Sequence, residues 1–291
     1  MPELRLKEYN ALVENGLNGL FPQEECRHSK NFEACRYSLL AGGKHIRAAL
    51  LLEFYRLCGG RVEDAIPFAC GLEMIHTYSL VHDDLPCMDN DDFRRGKPSN
   101  HKVYGYSTAM LAGDALLNRA FEVMLEQEFV PAERAMKATA YISRCSGVYG
   151  MIGGQVQDLA MEGRPATLEE LREMVSLKTG ALIRAACAAG VLLADGSDAQ
   201  KQAAEDYAAA VGLAFQIQDD ILDVVGDQVV LGKAIGSDIA NEKTTFVSVY
   251  GLETCRSMVR NLTVEAEAAA ETFADGGFLK ELAGYLANRN K

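Results

Sequence analysis

The sequence has no proline-, glycine- or serine-rich linker, no low-complexity run and no internal repeat. With 291 residues, of which 48% are hydrophobic, the chain is long enough to bury a large core. Because nothing divides the chain, we expect one domain over residues 1–291. Alternating β-branched segments are also scarce, whereas alanine-rich segments such as 181–194 and 199–214 have helical composition. The sequence therefore predicts an all-α protein.

Basic residues are fewer than acidic residues in this chain. The chain has 29 lysines and arginines against 41 aspartates and glutamates, which gives a net charge of −12 and a pI near 5.0. A nucleic-acid partner requires a broad basic surface, and this composition does not provide one. We therefore expect small-molecule ligands and no nucleic acid.

The chain also lacks the usual signs of secretion or membrane attachment. Its eight cysteines include no CxxC pair and mostly stand in apolar helical segments, so we expect reduced thiols. The N-terminal MPELRLKEYN has no apolar segment, Arg184 interrupts the apolar run around Ala181, and the C-terminal NRNK is not a lipidation signal. These features favour a cytoplasmic protein that neither spans nor is anchored to a membrane.

Five aspartates fall within ten residues of the segment Leu80–Gly96, LVHDDLPCMDNDDFRRG. Apolar residues before it predict a buried helix that closes at Asp83 and Asp84, beyond which Pro86 breaks the pattern and Asp89 returns from a loop. Adjacent carboxylates repel one another unless a cation neutralises them, and oxygen donors without histidine or cysteine suit Mg²⁺. The segment therefore indicates a magnesium site.

A second acidic cluster lies in residues 215–227, FQIQDDILDVVGD. Gln216, Asp219 and Asp223 are spaced i, i+3 and i+7, so they share one face of a helix whose other positions are largely apolar. Either cluster alone is better explained as a solvated or salt-bridged face. Together, the two clusters predict a cavity with carboxylates on opposite walls, bridged by divalent ions to a polyanion.

Basic residues accompany both clusters. In residues 42–47, GGKHIR, we expect the paired glycines to permit a close approach and Lys44 and Arg47 to share one face of the following helix, although a solvated turn would have the same pattern. His76 precedes Asp83 by two helical turns, which places it on the same face or in the core. Lys178-Thr179-Gly180 in an apolar helix predicts a kink that directs the ammonium group inward.

These motifs, in this order, resemble those of the trans-isoprenyl diphosphate synthases over essentially the whole chain. The matching elements are GGKxxR at 42–47, DDxxxxD at 83–89 followed by RRG, KTG at 178–180, FQIQDDxxD at 215–223, and LGK, GSD and KTT within 231–245. The resemblance implies an all-α, single-domain helical bundle around a deep central cavity. It also implies a homodimer that condenses isopentenyl diphosphate with an allylic diphosphate.

The resemblance assigns roles residue by residue. The implied ligands of Mg²⁺, three ions for which Mn²⁺ can substitute, are Asp83, Asp84, Asp89, Asp219 and Asp223. The allylic diphosphate would be held by Arg94, Lys178, Thr179, Gln216 and Lys233. Isopentenyl diphosphate would be held by Lys44, Arg47, His76 and Arg95. His45 and Ala48 depart from the family pattern, in which arginine and proline are common there, but both concern the start of a helix.

Product length depends on residues one to two turns before Asp83, here Tyr78 and Ser79. The aromatic ring of Tyr78 resembles the floor of bacterial farnesyl diphosphate synthases, which would stop the product at fifteen carbons. The surrounding segment EMIHTYSLVHDDLPCMDNDD also resembles geranylgeranyl diphosphate synthases, so a twenty-carbon product is the alternative, and ten carbons stay open. A non-catalytic regulatory subunit should have lost aspartates or cations, and a terpene cyclase needs no second cation set. Both are therefore weaker hypotheses.

Overall fold

The computed structural model describes residues 2–23, 25–225 and 244–289, and within these ranges the chain is helical apart from one two-stranded hairpin. The first half contains α1 Pro2–Asn18, α2 Ser29–Leu39, α3 Ile46–Leu57, α4 Ile66–Asp83, α5 Asn100–Tyr104, α6 Tyr106–Glu126 and α7 Ala132–Ser146. The second half contains α8 Met151–Met161, α9 Leu168–Val175, α10 Ala181–Leu193, α11 Asp198–Val225, α12 Phe246–Tyr250, α13 Leu252–Ala270 and α14 Gly277–Ala287. The hairpin pairs β1 Phe93–Arg94 with β2 Lys97–Pro98, antiparallel. The all-α prediction is confirmed.

Helices α3, α4 and α10 form the centre of the molecule. Nearly every residue of α10 from Ala181 to Leu193 is buried, and α4 buries residues on all its faces from Phe68 to Val81. A helix that is apolar all round must be surrounded by other helices. Accordingly, α4 packs against α3 and α6, and α10 packs against α3, α7 and α11. The central helix α4 thus delivers the first acidic motif from the core.

The stretch Leu168–Leu193 is long and apolar enough, by length and composition, to cross a membrane. However, 61% of its most apolar window is buried inside the protein. Thr167 caps the start of the stretch: its hydroxyl accepts a hydrogen bond from the Glu170 backbone while the Glu170 carboxylate accepts one from the Thr167 backbone. Packing in the core of the bundle accounts for its apolar character.

One close helix crossing matters for the site. A Cβ atom on Gly113 of α6 would lie 2.0 Å from Nε2 of His82 in α4, so only glycine lets the two helices approach this closely. The His82 ring contacts the Met110 carbonyl oxygen at 2.9 Å and stacks edge-on against Tyr78 at 5.7 Å between ring centroids. These contacts of His82 therefore fix the C-terminal end of α4 against α6.

Candidate active site

The first acidic motif has the geometry that the sequence predicts. Asp83 is the last residue of α4, Asp84 follows as its C-cap, and the Asp89 amide donates a 2.9 Å hydrogen bond to the Asp83 carbonyl. This bond folds the loop back, so Asp89 returns to the end of the helix.

Asp83 lies in an electrostatically unfavourable position. The pKa of its carboxyl group is raised to about 6, chiefly by burial and also by the neighbouring Asp89 and Asp84, while Lys178 and Arg94 oppose the shift. The charged form of Asp83 is thus destabilised unless additional positive charge reaches it. A bound cation would supply that charge.

Asp84 has a partner of its own. Its carboxylate is 2% exposed and accepts hydrogen bonds from Nη2 and, at 2.9 Å, from Nε of Arg94, which also lies 3.3 Å from Asp91. The sequence analysis assigned Asp84 to a metal and Arg94 to the allylic diphosphate. The structure places the two side chains against each other, with Arg94 at the edge of the acidic motif.

The hairpin separates Arg94 from Arg95. Its two-residue turn is Arg95-Gly96, with φ values of 53° and 74°, the left-handed pair typical of a tight type I′ turn. Arg95 consequently points to the other side, where its Nη1 donates a hydrogen bond to the Gly42 carbonyl. A Cβ on Gly43 would lie 3.2 Å from this guanidinium, so the paired glycines make room for Arg95. The assignment of the two arginines to different substrates remains a prediction, and this separation suits it.

The expected position of Lys44 is wrong. Helix α3 begins at Ile46, so Lys44 lies in the preceding loop and not on a helical face with Arg47. The reason is local backbone conformation, because Gly42 has a φ of 81° and His45, the N-cap, has a φ of 42°. Left-handed residues stop a helix from extending backwards. The Lys44 ammonium group lies 5.6 Å from the centre of the Tyr285 ring in α14.

Arg47 and His76 meet across α3 and α4, with Arg47 Nη1 3.4 Å from His76 Nε2. Burial lowers the pKa of the His76 imidazole well below its ordinary value, and the nearby Arg47 and Arg95 lower it further. His76 therefore supplies a neutral acceptor rather than a further positive charge. Burial also lowers the pKa of Arg47, and the Glu73 and Asp219 carboxylates counteract this effect.

Lys178 projects from a kink, as predicted. Residues Ser176–Gly180 form a single π-helical turn between α9 and α10, and such turns often occur at functional sites. The Lys178 Nζ lies 2.5 Å from Asp158 Oδ2. Burial lowers the pKa of Lys178, but Asp158, Asp83 and Asp89 outweigh burial and raise it overall. Lys178 thus pairs with Asp158 of α8 and also interacts electrostatically with the first acidic motif.

Hydrogen bonds link the second acidic motif to the same π-helical turn. Thr179 Oγ1 donates to Gln216 Oε1 at 3.1 Å, and Gln216 Nε2 donates to Asp220 Oδ1 at 3.0 Å. The other oxygen of Asp220 accepts a 2.8 Å bond from the Phe246 backbone. The sequence analysis gave Asp220 no role. The spacing i, i+4, i+7 of Gln216, Asp220 and Asp223 is also a helical face and could have identified it.

A cavity of about 150 Å³ lies between these elements. It is bounded by α8, α9, the π turn and α11, and its polar lining is Asp158, Glu162, Lys178, Gln216, Asp220, Thr244 and Thr245. The cavity therefore joins the KTG and second acidic motifs. Its Lys178 also interacts electrostatically with Asp83 and Asp89 of the first motif.

Asp219 and Asp223 are not among the residues that line this cavity. Asp219 Oδ1 lies 2.6 Å from Nη2 of Arg289, near the C-terminus, whose guanidinium also stacks 3.6 Å from the centre of the Phe215 ring. Asp223 is 1% exposed. Lys233, assigned to the allylic diphosphate, lies outside the described residues.

Tyr78 and Ser79, the expected chain-length residues, lie in the last two turns of α4. Tyr78 is 5% exposed, and burial, aided by the Asp83 charge, raises the pKa of its hydroxyl to about 12. Ser79 donates a 2.9 Å hydrogen bond to the His76 carbonyl. The Tyr78 ring is thus uncharged and held five residues before Asp83, and its role in product length stays a prediction.

The donor set suits a hard divalent cation. Carboxylate oxygens come from the end of α4 and from α11, and the neighbouring His82 ring is turned to the Met110 carbonyl, so the donors are the hard oxygens that Mg²⁺ prefers. Among residues 2–23, 25–225 and 244–289, no three acidic, histidine or cysteine side chains are close enough to hold a metal by themselves. Mg²⁺ often has this arrangement, in which one or two carboxylates bind it and a phosphate ligand and water complete its shell.

Comparison with known proteins agrees with this geometry. The family model described as Polyprenyl synthetase matches residues 29–275. The chain is 44% identical to a farnesyl diphosphate synthase of Micrococcus luteus over 283 residues, which are 97% of this chain and 96% of that protein. It is 43% identical to a geranylgeranyl diphosphate synthase of Cyanophora paradoxa over 288 residues, 98% of this chain and 95% of that protein.

A solved structure shares the fold. The apo crystal structure of an FPP/GFPP synthase from Zymomonas mobilis has a TM-score of 0.89, 32% identity and 98% coverage of both chains. The fold, the family model and the relatives all agree with the motifs. The chain belongs to the polyprenyl synthetase family and is a prenyltransferase of the trans-prenyl diphosphate synthase type.

Proposed function

We propose that this enzyme condenses isopentenyl diphosphate head-to-tail with dimethylallyl and then geranyl diphosphate, giving (2E,6E)-farnesyl diphosphate and diphosphate. The observation that carries the proposal is the position of Lys178. It lies 2.5 Å from Asp158 and its pKa responds to both Asp83 and Asp89. A cation placed between carboxylates in this way can hold an anion whose charge grows as it leaves.

The allylic diphosphate would lie between the two acidic motifs. Asp83, Asp89, Asp219 and Asp223 would hold Mg²⁺, with Asp84 orienting Arg94, and Lys178, Thr179, Gln216 and Lys233 would contact the diphosphate. When bound, Mg²⁺ neutralises the leaving diphosphate and so favours heterolysis of its bond to the allylic carbon. The electron pair of the C–O bond leaves with the diphosphate, and an allylic carbocation remains. Three ions, or Mn²⁺ in their place, would fit the family pattern.

Isopentenyl diphosphate would occupy the other group of cations. Lys44 lies in the loop before α3, where Arg95 donates to the Gly42 carbonyl, and Arg47 meets the neutral ring of His76 between α3 and α4. Binding there would orient the double bond toward the allylic carbocation, which is a use of binding energy for alignment. The double bond supplies the electrons for the new C–C bond. The released diphosphate then accepts the proton that leaves, so the protein needs no nucleophile.

We infer that Tyr78 limits the product to fifteen carbons. Its buried ring lies five residues before Asp83 and is held by His82, which Gly113 brings close to α6. A longer chain would have to displace a fixed aromatic side chain. Geranylgeranyl diphosphate is the second candidate product, because a geranylgeranyl diphosphate synthase is as similar to this chain as a farnesyl diphosphate synthase is. A non-catalytic subunit and a terpene cyclase rank below both.

A homodimer in the cytoplasm is the proposed working form. Four apolar side chains are 40% to 71% exposed at the start of α8: Val148 and Tyr149 in the turn before the helix, and Ile152 and Val156, spaced i, i+4, on one face of it. Tyr106, Met110 and Leu111 add exposed apolar groups at the start of α6. Exposed apolar clusters of this kind mark interaction surfaces, and a second copy would cover them.

The chemistry can be tested with the purified protein, isopentenyl diphosphate and dimethylallyl diphosphate, with Mg²⁺ and with EDTA. We expect isopentenyl diphosphate to be consumed and diphosphate to be released only when Mg²⁺ is present. Release of diphosphate from the allylic substrate alone, without consumption of isopentenyl diphosphate, would indicate a cyclase. No reaction of either substrate would restore the regulatory-subunit hypothesis.

A further inference from the structure

Glu73 is a buried carboxylate that has no role in the site described above. It lies on α4, three residues before His76, and it is 3% exposed. A charged side chain is rarely buried to this extent unless it is paired and hydrogen-bonded. Its partners therefore identify its role.

The Glu73 carboxylate holds the loop and the helix that carry the second cation group. Its Oε2 lies 2.7 Å from Nδ1 of His45, and its Oε1 accepts a 3.4 Å hydrogen bond from the Ala48 amide in the first turn of α3. His45 has a φ of 42°, a left-handed conformation that is unfavourable for a residue with a Cβ. The bond to Glu73 fixes this backbone conformation and the direction in which the preceding loop enters α3.

Glu73 is also the counter-charge of the arginines around it. Burial lowers the pKa of the Arg47 and Arg95 guanidinium groups and a neighbouring arginine lowers each further, whereas the Glu73 carboxylate opposes the shift at both. The carboxylate is too deeply buried to contact a substrate. It therefore acts on a substrate only through the residues that it holds and the cations whose charge it offsets.

We infer that Glu73, through His45, is a positioning residue for the diphosphate group of isopentenyl diphosphate. It orients the Gly42–His45 loop and balances the charge of Arg47 and Arg95, and it contacts no substrate. This inference deepens the proposed function and rests on it. The allylic side of the site, with Lys178 and Gln216, is held by different contacts and should not depend on Glu73.

The test is substrate-specific binding in Glu73→Gln. Glutamine keeps the shape and hydrogen-bonding capacity but removes the charge, so the KM and the calorimetric Kd for isopentenyl diphosphate should rise about tenfold. This factor corresponds to about 1.4 kcal/mol, the scale of one charge-assisted hydrogen bond. The KM for dimethylallyl diphosphate should stay within about twofold, since its ligands are elsewhere.

His45→Asn provides a second variant in case Glu73→Gln does not fold. Asparagine tolerates a positive φ, so the loop keeps its backbone while losing the bond to Glu73. We expect the same selective rise, of about threefold or more for a lost hydrogen bond. Glu14→Gln is the control, because Glu14 lies 3.8 Å from the other ring nitrogen of His45 but its side chain is 54% exposed. That variant should match the wild type.

The outcomes separate this inference from the proposed function. If wild type binds and consumes isopentenyl diphosphate but the folded variants bind it equally well, the role of Glu73 is refuted and the reaction stands. An equal loss for both substrates, with a lower melting temperature, would mean that Glu73 is only structural. If wild type neither binds nor consumes isopentenyl diphosphate, the proposed function itself fails.

Discussion

Arg289 Nη2 lies 2.6 Å from Asp219 Oδ1, so a residue near the end of the chain neutralises an aspartate of the second acidic motif. The same guanidinium donates to the Phe215 carbonyl at 3.1 Å and covers the Phe215 ring. The segment from α14 to Arg289 thereby connects two parts of the site, because Tyr285 of α14 also lies against Lys44. A cation bound at Asp219 must therefore compete with Arg289.

Removing Arg289 should favour the metal. In Arg289→Gln, we expect Mn²⁺ to bind about threefold more tightly in the presence of inorganic diphosphate, since the competing ion pair is partly exposed and contributes below ~1 kcal/mol. The measurement is the free Mn²⁺ signal in electron paramagnetic resonance. Arg256→Gln, which breaks a surface pair with Glu253, is the control. Weaker Mn²⁺ binding would show that Arg289 helps to hold the anion instead.

Loss of an aspartate from either acidic motif should strongly reduce turnover without unfolding the protein. Asp83→Ala and Asp219→Ala should each lower kcat by about 10²-fold or more, because each would remove a ligand of the ions that stabilise the departing diphosphate. Asp92→Ala is the matched control, since Asp92 lies in the same acidic loop but pairs with Lys102 at the surface. Near-normal activity in a folded Asp83 or Asp219 variant would refute the metal assignment.

The raised pKa of Asp83 should appear in the stability of the metal-free protein. Its value of about 6 exceeds the unfolded value of about 3.9, so the native state binds more protons between these pH values. The free energy of unfolding should therefore fall as pH rises through this window and level off above it. Between pH 5 and 8 the loss should be about 1 kcal/mol larger in wild type than in Asp83→Asn. Denaturant melts at several pH values would detect this difference, and parallel curves would contradict it.

The exposed apolar face of α8 should mediate self-association. Val156→Glu would place a charge in the proposed interface, so we expect a particle of twice the 31.7 kDa chain mass to become a monomer. Val264→Glu is the control, because Val264 is 63% exposed on α13, away from this face. Light scattering after size-exclusion chromatography measures the mass. A wild-type monomer, or a dimer that persists in Val156→Glu, would exclude this interface.

Local sequence patterns predicted the parts of the site that depend on one helix. Three patterns depend only on residues that are close in sequence, and each indicates a local helix or helix end. They are the apolar run before Asp83, the capping residues around Thr167 and the spacing in α11. The π turn at Lys178 was also predictable, from a Thr-Gly pair in an apolar helix.

Other contacts could not be predicted because they join distant segments. Asp219 and Arg289 are 70 residues apart, and His45 and Glu73 are 28 apart, so only the packing of the whole bundle brings them together. Lys44 was misplaced because the positive φ of His45, a residue other than glycine, leaves no clear sequence signal. Asp84 and Arg94 were both recognised, but their pairing depends on the irregular loop 85–92, which folds back on the end of α4.

The ring of Tyr78 should determine where chain growth stops. In Tyr78→Ala the floor is removed, so we expect products of twenty carbons or more, whereas Tyr78→Phe retains the ring and should keep the wild-type product. Chromatography of the dephosphorylated alcohols distinguishes the chain lengths. An unchanged product in Tyr78→Ala would exclude Tyr78 as the floor.

The most direct measurement is the product of the wild-type enzyme supplied with Mg²⁺, isopentenyl diphosphate and dimethylallyl diphosphate. After dephosphorylation, the main alcohol should be farnesol, formed by two successive condensations against the Tyr78 floor. Geranylgeraniol as the main product would contradict the fifteen-carbon assignment while leaving the condensation chemistry in place.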